Sequence, residues 1–171
     1  MDLRLVLPTE LYEDEWYSIV KEIEDAGEKM TPYSLKASTN NYEEYLRVTR
    51  DVSNGVNLNG LVPADTYFLV NGEETRILGA VNIRYVLNDS LLNYGGHIGY
   101  GIRPTERRKG YAAKMLELAL AICGERGMKK VLLTCDKGNL GSVKTMMKNG
   151  AVLENEGQER GKTVQRYWIT L

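Results

Sequence analysis

The chain has only one histidine, His97, and two cysteines, Cys123 and Cys135. Too few ligands of this kind are present for a structural zinc site, and too few cysteines for a disulfide-stapled scaffold. Both cysteines fall in segments that read as a buried helix and a buried strand, so they are expected to be reduced core thiols. Long apolar runs are missing as well. None approaches the roughly 20 residues needed to cross a bilayer, and the opening MDLRLVLPTELYEDEW turns acidic without the apolar stretch of a signal peptide. A soluble, cytoplasmic protein with no membrane partner is expected. Nor is there an excess of charge of one sign: 22 basic against 23 acidic residues leave a formal net charge of -1. Nothing in that balance points to nucleic acid, and any basic site must be local. Repeats, low-complexity tracts and Pro/Ser-rich linkers are absent too. The 171 residues are therefore read as one domain over 1–171, long enough to bury a real core.

What is present is a change of period along the chain. LRLVL at 3–7 reads as a strand ended by Pro8. Residues 9–27 then carry Leu11, Tyr12, Trp16, Ile19, Val20 and Ile23 at helical spacing, with Thr9 as the N-cap. A second helix is expected over 41–53. From Ala64 the pattern becomes β-branched and aromatic: TYFLV and RILGAVNIRYVL flank NGEE, whose Asn71-Gly72 pair marks a hairpin turn, and GHIGYGIR at 96–103 follows as another strand. Residues 111–126 form the clearest amphipathic helix, with Gly127 at its C′ position. KKVLLTC reads as a strand buried on both faces, 139–149 as a helix ended by Gly150, and AVLEN and VQRYWITL as two short final strands. This order predicts an α/β (α+β) fold, a mixed, largely antiparallel sheet with helices on both faces.

The junction between the fourth strand and the long helix contains an electrostatic conflict. Arg107, Arg108 and Lys109 precede Gly110, and the helix then opens Tyr-Ala-Ala-Lys with no acid in its first turn. Helix N-termini already carry partial positive charge, so an external anion would resolve the conflict. A glycine between strand and helix lets backbone N–H groups converge on a phosphate, and Ala112 keeps the approach open. A nucleoside triphosphate fits poorly, because Gly110 is followed by Tyr111 and Ala112 where a P-loop has Lys and Ser/Thr, and GHIGYG misses the spacing of the dinucleotide fingerprint. A metal-free pyrophosphate suits the loop. Gly95, Gly96, Gly99 and Gly101 upstream suggest a strand against which a backbone-like chain lies close, as the two amides of coenzyme A's pantetheine arm could.

Arg107-x-x-Gly110-x-Ala112 after IGYGIRP resembles the acetyl-CoA motif of the GNAT N-acetyltransferase superfamily. Asn139-x-x-Ser142 and Lys148-Asn149-Gly150-Ala151 are similar to further family motifs, so that residues 96–151 carry the likeness. The resemblance implies a GNAT-like acyl-CoA acyltransferase fold and acetyl-CoA as the acyl donor. It also implies that Ile102 and Arg103 contact pantetheine and thioester through their backbones, that N–H groups from Arg107 through Arg108, Lys109, Gly110 and Tyr111 to Ala112 hold the pyrophosphate, and that Asn139, with Ser142, binds the pantetheine arm. A homodimer is compatible with the family. Two positions depart from its pattern: Met146 stands where many members have a tyrosine, and Ala151 where a phenylalanine is usual.

The implied reaction is direct acetyl transfer to a primary amine of a small molecule, peptide or protein. A strand N–H near Ile102 would meet the developing oxyanion, and His97 has the intrinsic pKa of a general base. Tyr100, on the same strand face as Ile102, is a further candidate, as is Tyr167. Against these roles stand ordinary ones: strand histidines and tyrosines are commonly packing residues. A non-catalytic acyl-CoA-binding or sensing module is the alternative, and the acceptor's identity is not legible.

Overall fold

The computed structural model describes residues 1–72 and 76–171. The chain runs β1 (Leu3–Val6), α1 (Glu13–Asp25), α2 (Tyr42–Ser53), β2 (Ala64–Asn71), β3 (Ile77–Arg84), β4 (Ile98–Ile102), α3 (Tyr111–Glu125), β5 (Lys130–Asp136), α4 (Leu140–Lys148), β6 (Val152–Glu159) and β7 (Lys162–Thr170). Every expected element is present, with shifted ends. The first helix starts four residues late because Glu10–Tyr12 form a separate 3₁₀ turn that points Tyr12 inward, and the Thr9 side chain makes no cap. Glu13, Asp14 and Glu15 then occupy the first turn of α1, where negative charge is favoured. For α2 the cap is Asn41, whose side chain accepts the Glu44 N–H at 2.8 Å. The two final strands are longer than expected, since Arg160 and Gly161 both take positive φ (49° and 78°) and close them into a tight hairpin. β2 and β3 pair antiparallel as the Asn71-Gly72 signal implies. Its Glu73 and Glu74 lie outside the described residues.

The strands form two antiparallel sheets, ordered β1-β2-β3-β4 and β5-β7-β6. Both faces of the first sheet are buried, which explains why every residue of β3 except Arg84 is buried. Phe68, Val70, Ile77 and Ala80 face an aromatic core with Tyr12, Trp16, Tyr42 and Tyr45 from α1 and α2. Leu69, Leu78, Val81 and Ile83 face a second, mostly aliphatic core with Met115, Leu116, Ala119 and Cys123 of α3. Helices on both faces are therefore found as expected. Cys123 and Cys135 are buried free thiols, their pKa values pushed up to about 11 by burial.

One detail of the topology makes the site: β4 and β5 meet at one end only. Gly96 sits so close to β5 that an added Cβ would lie 2.6 Å from the Leu132 carbonyl oxygen. The His97 N–H donates to that same oxygen at 2.8 Å, and the Leu132 N–H donates to His97 Nδ1 at 2.9 Å. Arg84 Nη1 donates to the carbonyls of Gly95 and Gly96, fixing the join from β3. Beyond it the two strands part, and no ladder joins Ile98–Ile102 to β5.

Candidate active site

The parted strands open a cleft of about 680 Å³. Tyr100, Gly101 and Ile102 form its β4 wall, the loop through Gly110 and the first turn of α3 close one end, and α4 supplies the opposite wall. A roof comes from the α1–α2 connection, including Glu28 and Thr31. That connection is anchored where Trp16 Nε1 donates to the Leu35 carbonyl at 2.6 Å.

Backbone register decides what β4 offers. Arg84 N–H donates to His97 O at 2.8 Å and Arg103 N–H to Leu78 O at 2.9 Å, with unbroken pairing between. Residues alternate in which neighbour they bond. Tyr100 and Ile102 are out of phase with those bonds, so their backbone groups turn from β3 toward the gap. The Ile102 carbonyl accepts Arg107 Nε at 3.2 Å, which leaves its N–H for a ligand.

At the closed end of the cleft the loop is curled by two left-handed residues, Arg108 (φ 62°) and Gly110 (φ 82°). The first backbone bond of α3 is Lys114 N–H to Gly110 O at 3.3 Å. Among the described residues, the N–H groups of residues 108 to 113 have no acceptor. Neither an acid nor a capping side chain occupies the first turn. Six consecutive donors on a positive helix end form an anion cradle.

The expected cations divide sharply. Arg107 forms a bidentate pair with Glu28, at 2.9 Å and 2.5 Å, and this hydrogen-bonded pairing holds the Glu28 carboxyl below its usual range. Lys109 Nζ binds Glu106 at 2.7 Å. Arg108 lines the cleft with no side-chain partner among the described residues. Tyr111, Ala112, Asn139 and Ser142 line it too. Asn139 Oδ1 caps α4 by accepting the Ser142 N–H at 3.1 Å, so its amide NH₂ remains to donate.

His97, Arg103 and Tyr167 are not brought to the cleft, and Lys109 is not among the residues that line it. His97 is 8% exposed at the β4–β5 join, with Nδ1 already accepting from Leu132 and its ring edge-on to Trp168. Burial, helped by the charge of Arg84, lowers its pKa. Arg103 spends its N–H on Leu78 and its carbonyl on Glu106 N–H. Its 3% exposed guanidinium binds Glu15 at 2.8 Å, Glu22 at 2.7 Å and Ser18, clamping α1 to the sheet. Tyr167 likewise donates to Gln165 inside the core, at 2.8 Å. Tyr100 is in place: its hydroxyl meets Ser142 Oγ at 2.9 Å across the cleft, and burial, partly offset by this bond, pushes its pKa up to about 12.

A sequence model of the acetyltransferase (GNAT) domain matches residues 3–152. The chain belongs to the GNAT acetyltransferase family. A curated relative, the uncharacterized N-acetyltransferase YjdG of Bacillus subtilis, is 29% identical over 115 residues, 65% of this chain and 62% of that protein's length. Among solved structures, the microcin C7 self-immunity acetyltransferase MccE, in complex with acetyl-CoA and AMP, superposes with a TM-score of 0.71 at 20% identity, covering 99% of this chain and 93% of that one. RimL, a ribosomal L7/L12 α-N-protein acetyltransferase in complex with coenzyme A, gives 0.72 at 15% identity, covering 100% and 95%. These two likenesses bear on the fold.

Within this GNAT fold the structure corrects the reading of the strand glycines. A Cβ on Gly101 would collide with the Thr31 carbonyl oxygen, and one on Gly99 would lie 2.9 Å from Arg84 Nη2. Gly101 thus makes room for the protein's own roof, and Gly96 for β5. Met146, at the position of the family tyrosine, is wholly buried, so a tyrosine there has no counterpart in the cleft. Residues not anticipated are Glu28 and Thr31 on the roof and Lys144, Thr145 and Lys148 on α4. Thr145 and Lys148 continue the three-residue spacing begun by Asn139 and Ser142, a row that could have been carried on through the helix, whereas Lys144 lies off it.

Proposed function

We propose that this GNAT protein transfers an acetyl group from acetyl-CoA directly to a primary amine, on a small molecule or on a peptide or protein. The observation that carries this reading is the run of unbonded N–H groups from 108 to 113, set where β4 and β5 part. That pairing of an anion cradle with an open strand edge suits a diphosphate joined to an amide-bearing arm. Two neighbours solved with acetyl-CoA or coenzyme A bound support it. Residues 108–113 would hold the diphosphate, and the Ile102 N–H and the Asn139 amide the pantetheine arm. When bound, acetyl-CoA supplies an acetyl group activated as a thioester.

The chain's own groups bear on the leaving group's proton more than on the amine's. An alkylamine has a pKa near about 10.4 and must lose a proton before it can attack. Glu28 and Glu106 are both held low by their cationic hydrogen-bond partners, which makes them poor bases, so the amine proton passes to water. Tyr100 stays protonated at neutral pH. Its hydroxyl, together with Ser142 Oγ, holds a proton beside the place where a thiolate would depart. With a thiol pKa near about 8.5, the leaving group needs only this modest help.

The test is thiol release across a panel of primary amines, run beside coenzyme A binding by the wild type and Gly110→Arg. Turnover on an amine is expected. The variant, at a position where a Cβ meets no other atom within 4 Å but the backbone is left-handed (φ 82°), should fold with a stability loss of about 1–2 kcal/mol and lose affinity on the order of 100-fold, about 2.7 kcal/mol. Unchanged affinity would reject the assigned loop, and saturable binding without turnover on any amine would favour an acyl-CoA-sensing module.

A further inference from the structure

The cleft carries more positive charge than a diphosphate accounts for. Arg107 and Lys109 are paired with Glu28 and Glu106, but Arg108, Lys144 and Lys148, together with Lys29 on the roof, line the cleft without a side-chain partner among the described residues. The α4 sequence LGSVKTMMK contains no acid, so neither lysine has a counter-charge on its own helix. In a chain whose formal net charge is -1, this concentration is local.

Two hydrogen bonds fix how α4 lies. Near its start, Ser142 Oγ meets Tyr100 on the β4 wall at 2.9 Å. Just past its end, Asn149 Nδ2 donates to the Ala113 carbonyl in the first turn of α3, at 3.2 Å. The helix therefore runs from the middle of β4 toward the anion cradle, and Lys148 arrives beside the cradle. Lys144 stands one turn earlier on the same face, about 6 Å back along the axis by helical rise. A pair of ammonium groups at this spacing suits a compact dianion next to the diphosphate.

Coenzyme A carries such a group, because its ribose bears a 3′-phosphate monoester with a charge of about −1.5 to −2 near neutral pH. We infer that Lys144 and Lys148 receive this 3′-phosphate, making the protein select coenzyme A and its thioesters over the dephospho forms. The inference rests on the acetyl-CoA reading above and adds a specificity determinant to it. Arg108, on the cradle itself, serves the diphosphate that both forms share.

Equilibrium binding of coenzyme A and of 3′-dephospho-coenzyme A to the full chain tests this, with the wild type, Lys144→Gln/Lys148→Gln and Arg108→Gln compared at one salt concentration. The wild type is expected to prefer coenzyme A by at least about tenfold. The double lysine variant should bring that ratio near one by weakening coenzyme A alone, leaving the dephospho form within about twofold. Arg108→Gln should weaken both ligands alike and preserve the ratio. Equal binding of the two ligands by the wild type overturns the inference. So does a ratio that survives the double substitution, or parallel weakening of both ligands by it, which would mark the lysines as general attraction. Wild-type binding of neither ligand overturns the acetyl-CoA reading itself, a result separate from the other three. Both lysines are exposed, and unchanged melting temperatures would confirm that the variants fold.

Discussion

The two flanks of β4 use glycine for opposite purposes. At the Gly96–His97 end, glycine lets two backbones touch, and the imidazole serves as a hydrogen-bond acceptor inside the seam. Where the strand leads into α3, Gly110 leaves space with no protein atom near its missing Cβ, and the backbone N–H groups from 108 to 113 stay unbonded. Glycine and histidine both look like active-site residues in a sequence. For glycine the meaning depends on which end of β4 it flanks: the satisfied end holds the sheets together, and the unsatisfied end opens onto the cleft.

The largest effect should come from breaking the closed end. Gly96 has φ 69° and ψ −173°, a conformation almost restricted to glycine, and its Cβ would press on Leu132 O. Gly96→Ala combines backbone strain with that collision, so a loss of about 3 kcal/mol or more is expected, read as a lowered denaturant midpoint. Wild-type stability in this variant would mean that the join tolerates separation and is not what sets the cleft.

A smaller effect is expected at His97, with a definite sign in pH. Its native pKa lies below the ordinary value because of burial and the nearby Arg84 guanidinium. The unfolded chain therefore binds this proton more readily than the native one. The stability linked to His97 is complete above about pH 6.5 and is lost as pH falls through the lowered native value. His97→Asn places a carbonyl oxygen near the Nδ1 position, so the Leu132 N–H keeps an acceptor. The variant should lose about 1 kcal/mol at neutral pH and lack this acid-side slope, as followed by urea unfolding at a series of pH values. The pH profile of kcat/KM should not change. Disappearance of a limb of that profile would return His97 to the role of general base.

These contrasts also show where the sequence was readable. The cradle was legible because each of its parts is local: strand, left-handed glycine, acid-free first turn and amphipathic helix follow one another within about thirty residues. Arg103 misled because its partners, Glu15 and Glu22, are 88 and 81 residues earlier in the chain. Gly101 misled for the same reason, since the backbone that lies against it is Thr31, in a connection with no periodic pattern. Met146, which stands where many family members have a tyrosine, is buried in the core as its apolar character implies, while Ser142, Thr145 and Lys148 line the cleft.

The smallest expected effect probes the open end, where Glu28 reaches from the roof to grip Arg107. Both side chains are substantially exposed, 39% and 45%, so the pair itself contributes little to stability, roughly 0–1 kcal/mol. Its consequence is electrostatic, since a carboxylate stands beside a cradle meant for an anion and cancels the cation closest to Ile102. Glu28→Gln removes that negative charge and returns Arg107 to the cleft. Coenzyme A should then bind a few-fold more tightly, about 0.5–1 kcal/mol, with the gain shrinking as salt is raised. Weaker binding would show instead that Glu28 is needed to hold Arg107 against the Ile102 carbonyl. In that case the roof belongs to the binding site, and the open end of β4 is braced from outside the sheet.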